Sequence, residues 1–430
     1  MGTGEQALNE AARRIQRIYL LLTLGNTLAA SFIWGINTLF LLDAGLSNFE
    51  AFAANAFFTA GMVLFEVPTG VVADTWGRRV SYLLGTLTLA GSTLLYYFMW
   101  QTNAPFWAWA IVSVLIGLGF TFFSGAVEAW LVDALHFAEY DGQLEAVFGR
   151  GQMVGGVAML GGSVAGGVIA QVTSLGVPFL LRVGVLLVMF VVAFTVMRDL
   201  GFTPERSRNP VGDMKRVFSA SIDHGLRNPP VRWVMLAAPF GAGVGIYTFY
   251  ALQPFLLDLY GNETAYGIAG LAAAIVAGSQ ILGGYLAPKI RGLFARRTTA
   301  LILGTAASVL LLTILGGTTN FALALVILVL WGLVFAAVMP IRQAYLNGLI
   351  PSQQRATVLS FDSLLGSSGG VVIQPALGKS ADVWSYGASY VIGAGFQALA
   401  VPFLLLSRRE HAPADTVDAP LESTEVPHAV

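Results

Sequence analysis

Long apolar blocks separated by short polar turns run through most of this chain. Each block is long enough to cross a hydrocarbon layer about 30 Å thick as a helix of about 20 residues. The blocks predict helices over 18–42, 51–73, 79–100, 105–134, 151–172, 178–197, 232–257, 265–288, 298–317, 320–346, 357–378 and 385–407. The fourth ends in Glu128 and Asp133, so its last turn is expected to leave the membrane before Leu135. An even count puts both termini on one side. The polar start, Met1 to Arg17, precedes a block too long for a signal-peptide core, which is therefore read as a retained helix.

Basic residues test that count. All but three of the 23 lysines and arginines, among them Arg78, Arg79, Arg150, Lys289, Arg355 and Arg408, fall at one face. Arg182 and Lys379 are expected at the other, and Arg342 within or near the membrane. A bias of this size marks the basic face as cytoplasmic. Composition agrees: 56% of residues are hydrophobic and 11% charged, against roughly a quarter charged in soluble domains, and the mean hydropathy is +0.71. The 49 glycines fit closely packed membrane helices. The absence of cysteine excludes disulfides and thiolate chemistry. The four histidines, His136, His224, His411 and His428, fall in loops and the tail without metal-ligand spacing. With no Walker-type loop, ATP-driven transport is disfavoured, and no cofactor, metal or nucleic acid is expected.

The longest loop, Arg198 to Pro229, divides the chain into an N-terminal six-helix half (1–197), an inter-half loop (198–231) and a C-terminal six-helix half (232–407). Residues 408–430 are expected to be a disordered cytoplasmic tail. Met214 to Leu226 is read either as a surface helix or as a solvated linker. The halves repeat weakly: Val127–Leu135 aligns with Ile341–Leu349, setting Glu128 opposite Arg342 and Asp133 opposite Asn347. Repeats related about the membrane normal place equivalent helices across a central cavity. The expected fold is all-α, with twelve transmembrane helices in two pseudo-symmetric six-helix bundles.

Carboxylates inside a bilayer must be protonated, paired or wetted. Glu66 and Glu128 are thus proton-coupling candidates together with Arg342; Glu128 is read as meeting Arg342 in a fixed salt bridge, as meeting it in a switchable one, or as lying outside the cavity. For Glu66, repair of backbone disrupted by Pro68 is the other reading. Asp133, near the membrane surface, suits a gating pair with Arg78 or Arg79. Asn26, Asn37, Tyr247, Tyr250, Gln253, Tyr345 and Asn347 offer amides and phenols that line a substrate cavity or serve packing. Gly162, Gly166 and Gly167 let the fifth helix approach a neighbour closely.

The run Gly70-Val71-Val72-Ala73-Asp74-Thr75-Trp76-Gly77-Arg78-Arg79 between two spanning helices resembles the loop after the second helix in the major facilitator superfamily of secondary transporters. The resemblance covers about residues 15 to 407. It implies that Gly70, Asp74, Gly77, Arg78 and Arg79 take part in a conformational latch between helices 2, 4 and 11. Arg355 and Asp362, at the start of the eleventh helix, look like the matching region and join the gating set with Asp133. The run Gly162 to Gly167 is similar to the motif of drug/proton antiporters, with Ser163 where that motif has proline.

The function expected is a secondary active transporter that moves a small organic solute across the cytoplasmic (inner) membrane by alternating access, as proton-coupled export. Its partners are the solute, protons and membrane lipids, with no obligatory protein partner. Proton-coupled uptake or facilitated passage is the second reading, and a non-transporting receptor or assembly protein the third.

Overall fold

A computed structural model describes residues 2–123, 125–140, 142, 144–203, 225–350 and 355–416. Among them every named element is helical. The first half of the chain forms α1 (Gly2–Trp34), α2 (Asn37–Asp43), α3 (Asn48–Trp76), α4 (Arg78–Gln101), α5 (Phe106–Thr121), α6 (Ala126–Phe137), α7 (Leu144–Val172) and α8 (Val177–Val196). The second forms α9 (Pro229–Tyr260), α10 (Tyr266–Gly292), α11 (Arg297–Gly317), α12 (Phe321–Leu349), α13 (Arg355–Val383), α14 (Tyr386–Ala398) and α15 (Ala400–Arg409). The chemistry of the ends sets the bounds. Ser47 and Glu50 form a reciprocal capping box at α3, and prolines open α8 and α9, where a missing N–H does no harm.

Among the described residues, eleven passes are long and apolar enough to span a bilayer, with α5–α6 counted as one and α14–α15 as one. The twelfth is α13, 29 residues long but more polar, with Asp362, Gln374, Lys379 and Asp382 along it. It packs chiefly on α3 and α9, so protein rather than lipid surrounds much of it. Three expected spans are broken, the last of them at Leu399 between α14 and α15. The first pass bends between Trp34 and Asn37, and the fourth between Thr121 and Ala126, where Gly125 takes a left-handed φ of 68°.

The α3–α13 and α7–α10 pairs join the first six passes to the last six. On α7, a methyl at Gly166 would collide with the Phe32 carbonyl of α1, and one at Gly167 would sit 2.6 Å from the Tyr266 carbonyl of α10. Adjacent glycines therefore wedge α7 between two backbones, while Gly162 lies against Ser31.

The tail departs from expectation. Beyond Arg409 the chain packs as far as Thr416, with Asp415 buried and accepting from the Thr298 N–H at 2.7 Å and its hydroxyl at 2.8 Å. That carboxylate caps α11, which an acid within a proline-containing tail does not announce. Of the stretch Met214 to Leu226 in the inter-half loop, all but Gly225 and Leu226 lies outside the described residues, as do residues 417–430.

Candidate functional site

At the end carrying Arg78 and Arg79, Gly77 holds a φ of 106° and lets α3 turn directly into α4. A side chain there would collide with the Asp199 carboxylate. Arg78 Nη1 donates to Asp74 at 2.5 Å, and its Nε stands 3.9 Å from Asp133. Arg78 thus ties the third helix's start to the second and fourth passes. Asp199, just past α8, accepts from the Arg79 N–H at 2.9 Å, and the Arg79 guanidinium lies over Phe194. Burial pushes the Asp199 carboxyl above the usual range, against the opposing pull of the Arg79 N–H and of both arginines. No hydrogen bond joins Asp74 to α13 among the described residues, and Gly70 has open space around it.

The pairing expected between Glu128 and Arg342 is replaced by another. Arg342 donates through Nη1 and Nη2 to both oxygens of Asp362, at 2.7 and 2.6 Å, and through Nη2 to the Val234 carbonyl at 3.3 Å. A carboxylate one helix away within the same bundle outcompetes one in the other bundle. Glu128 is exposed in the first turn of α6, within electrostatic reach of the Tyr19 hydroxyl, and forms no ion pair among the described residues. Glu66 is exposed on α3. The backbone beside Pro68 is served by Thr69, whose hydroxyl donates to the Phe65 and Glu66 carbonyls at 2.8 and 3.2 Å. The Arg355 side chain lies outside the described residues.

The opposite end is sewn together across the halves. Gln253 of α9 accepts from the Thr38 N–H at 2.9 Å and donates to the Trp34 carbonyl at 2.7 Å, filling the break between α1 and α2. Asp382 accepts from the Asn48 and Phe49 N–H groups, both at 2.9 Å, so an acid of α13 caps α3. Tyr386 donates to Asn48. The apolar cores follow the same division. Here the core around Phe40 takes in Leu257, Ala265 and Ala269, and that around Tyr247 takes in Phe52, whereas at the basic end each core draws on one half only.

Most amides and phenols expected in a cavity are engaged elsewhere. Asn37 donates to Asn55 at 3.0 Å, Tyr247 shares a hydrogen bond with Ser389, Tyr345 with Ser407, and Asn347 donates to the Gln343 carbonyl of its own helix. Asn26 does line a cavity, of about 160 Å³, with Thr27, Ala29, Ala30, Trp34, Leu89, Phe120, Phe123, Arg182 and Leu186. It accepts from the Tyr82 hydroxyl at 2.7 Å. Arg182 is the correction. Expected at the outer face, it is only 2% exposed inside the first bundle, over the Phe120 ring at 5.5 Å. Its place a few residues inside an expected span reads naturally as a cation reaching for the surface. Asp199 and Asp382 also escaped notice, because capping partners distant in sequence leave no local pattern.

The family model of the Major Facilitator Superfamily matches residues 19–374. An uncharacterized MFS-type transporter of Methanocaldococcus jannaschii is 22% identical over 247 residues, covering 57% of this chain and 62% of that protein's length. Among solved structures, the nucleoside transporter NupG superposes with a TM-score of 0.75 at 11% identity, covering 92% of this chain and 99% of that one. A bacterial homologue of the human lysosomal transporter Spinster, in an inward-facing, unoccupied conformation, gives 0.71 at 15% identity, covering 95% and 99%. With twelve helical passes among the described residues, a charged turn at one end and cores shared between halves at the other, the chain belongs to the Major Facilitator Superfamily and is a membrane transporter rather than an enzyme.

Proposed function

We propose that the protein is a secondary transporter that moves a small organic solute by alternating access and exports it in exchange for protons. The basic end faces the cytoplasm, with both termini on that side of the inner membrane, as the placement of lysine and arginine favours. The observation that carries alternating access is the unequal joining of the halves. Shared cores and the Gln253 and Asp382 bonds hold the outer end, while the cores around Trp130 and Tyr345 at the basic end each belong to one half. This is the arrangement of a protein open toward the cytoplasm. Opening outward requires those bonds to break, and the Asp74–Arg78–Asp133 group supplies charge to close the other mouth.

Glu128 is the proton carrier in this reading. It is exposed in the first turn of α6 and holds no ion pair among the described residues, which leaves its carboxylate open to proton exchange in this reading. The test is flux of a solute panel in proteoliposomes under imposed pH gradients. Gradient-driven movement is expected in the parent protein and lost in Glu128→Gln with folding retained. Undiminished coupling in that variant would remove Glu128 from the mechanism, and inward flux favoured by an inward-directed proton gradient would replace export with uptake.

A further inference from the structure

We infer that the cavity at Arg182 is a binding site for an organic monoanion, whose oxyanion head meets the guanidinium and whose apolar body lies against Phe120, Phe123 and Leu186. This deepens the transport reading and rests on it for the solute's passage, though not for its binding. The argument starts from the arginine. A guanidinium carries its charge at any physiological pH and presents five donors. Arg182 is 98% shielded, yet its Nε and Nη2 have no hydrogen-bond partner. Within a membrane protein such a cation is expensive and is ordinarily paired with an acid or a backbone carbonyl. Arg342 in this same chain has both.

What does surround Arg182 is suited to hold it without satisfying it. The Phe120 face attracts the cation without taking its hydrogen bonds. The phenols of Tyr96 and Tyr250 are within electrostatic reach, and the Tyr96 hydroxyl is already shared with Ser113. No carboxylate forms an ion pair with it among the described residues. Both unpartnered donors are enclosed in the wall of the cavity that Arg182 lines, and a small rotation of the guanidinium turns the fork to a carboxylate or phosphonate, which accepts bidentately. The cavity beside it, about 160 Å³, has room for a ring-sized body, and Asn26 and Thr27 supply the remaining polar contacts. Tyr250 belongs to α9, so one of the phenols near Arg182 comes from the other half.

The test uses the purified full chain in phosphatidylcholine nanodiscs and compares benzoate with benzamide, which share size and shape but not charge. Benzoate is expected to bind and raise the unfolding temperature, phenylphosphonate to compete with it, and benzamide to do neither. Arg182→Gln is expected to weaken benzoate about tenfold to a hundredfold, the worth of lost charge-assisted contacts, and Arg182→Lys to recover part of that loss. Equal responses to benzoate and benzamide, no response to either anion at millimolar concentration, or unchanged benzoate affinity in Arg182→Gln would each overturn the inference. The comparison in the parent protein stands even if a variant fails to fold. A benzoate response abolished by adding phosphatidylglycerol would assign the site to a lipid head group and likewise overturn it. Anion binding without flux in proteoliposomes would sink the transport reading alone, whereas proton-coupled flux without anion binding would sink this one alone.

Discussion

Two arginines sit within the helical bundles under opposite conditions. Arg342 in the second half is clasped by both oxygens of Asp362 and by the Val234 carbonyl. Arg182 in the first half has an aromatic face, two phenols nearby and unpartnered donors. The difference separates two uses of the same side chain. A cation whose bonds are filled ties helices together, and its removal harms the fold. A cation whose bonds are empty contributes little to the fold and is available to a ligand.

The comparison breaks first at Asp362. Asp362→Ala leaves Arg342 without its anion, and truncating one partner of a buried pair costs about 3 kcal/mol. Thermal unfolding in detergent should register the loss, and Arg342→Met with Asp362→Leu should recover most of it, since apolar replacement of both partners is often neutral. An unchanged melting temperature in Asp362→Ala would mean that the pair is not what holds α12 to α13.

The closed end should yield next. Gln253→Ala removes two bonds between the halves, each worth about 1 kcal/mol, and should populate conformers open at that end. Because the chain has no cysteine, Ala51→Cys, at a position with no exposure in α3, provides a single thiol to follow. Its labelling rate is expected to rise in the Gln253→Ala background. The same rate in both backgrounds would show that Gln253 does not hold that end shut.

Arg182→Met is expected to shift stability by less than about 1 kcal/mol. The lost cation–π contact is worth about 1 kcal/mol and is offset by relief from burying an unpaired charge. A destabilisation as large as that of Asp362→Ala would make Arg182 a structural tie and erase the contrast.

The smallest effect concerns Asp199, a half-satisfied acid at the basic end. Its carboxyl is held above the usual range by burial. Stability linked to its protonation is therefore full below the unfolded value, about 3.9, and is lost as pH rises through the folded one. Asp199→Asn keeps an acceptor for the Arg79 N–H and removes the buried charge. It should match the parent protein below that lower value and unfold at a slightly higher temperature near neutrality. A lower unfolding temperature at neutral pH would show that the carboxylate's attraction to Arg78 and Arg79 outweighs its desolvation.

Much of the architecture was legible in the chain. Apolar blocks of spanning length and a one-sided distribution of basic residues are properties of sequence, because the bilayer acts on each helix separately before any two helices meet. Gly77, Asp74 and Arg78 stood out through the family resemblance and Asp133 as a partner for Arg78, whereas the Asp74–Arg78 contact and the φ of Gly77 came from the structure. The glycines of α7 were visible as a packing stripe, though not the fact that Gly166 faces α1 while Gly167 faces α10.

Pairing across the bundle was another matter. The repeat set Glu128 opposite Arg342, but symmetry of sequence says nothing about which acid lies nearest, and Asp362 reaches the arginine from an adjoining helix of the same half. Gln253 looked like a cavity amide until the broken first pass presented it with a free N–H and carbonyl. Arg182 lies near the start of α8, but its burial inside the first bundle is set by where neighbouring helices stand, which distance from the end of an apolar run does not reveal. The sequence by itself determined that this chain crosses a membrane many times and carries a charged turn between two of its spans. Tertiary structure alone decided which charges are satisfied, since partners separated by tens or hundreds of residues are brought within hydrogen-bonding distance only when the bundles pack.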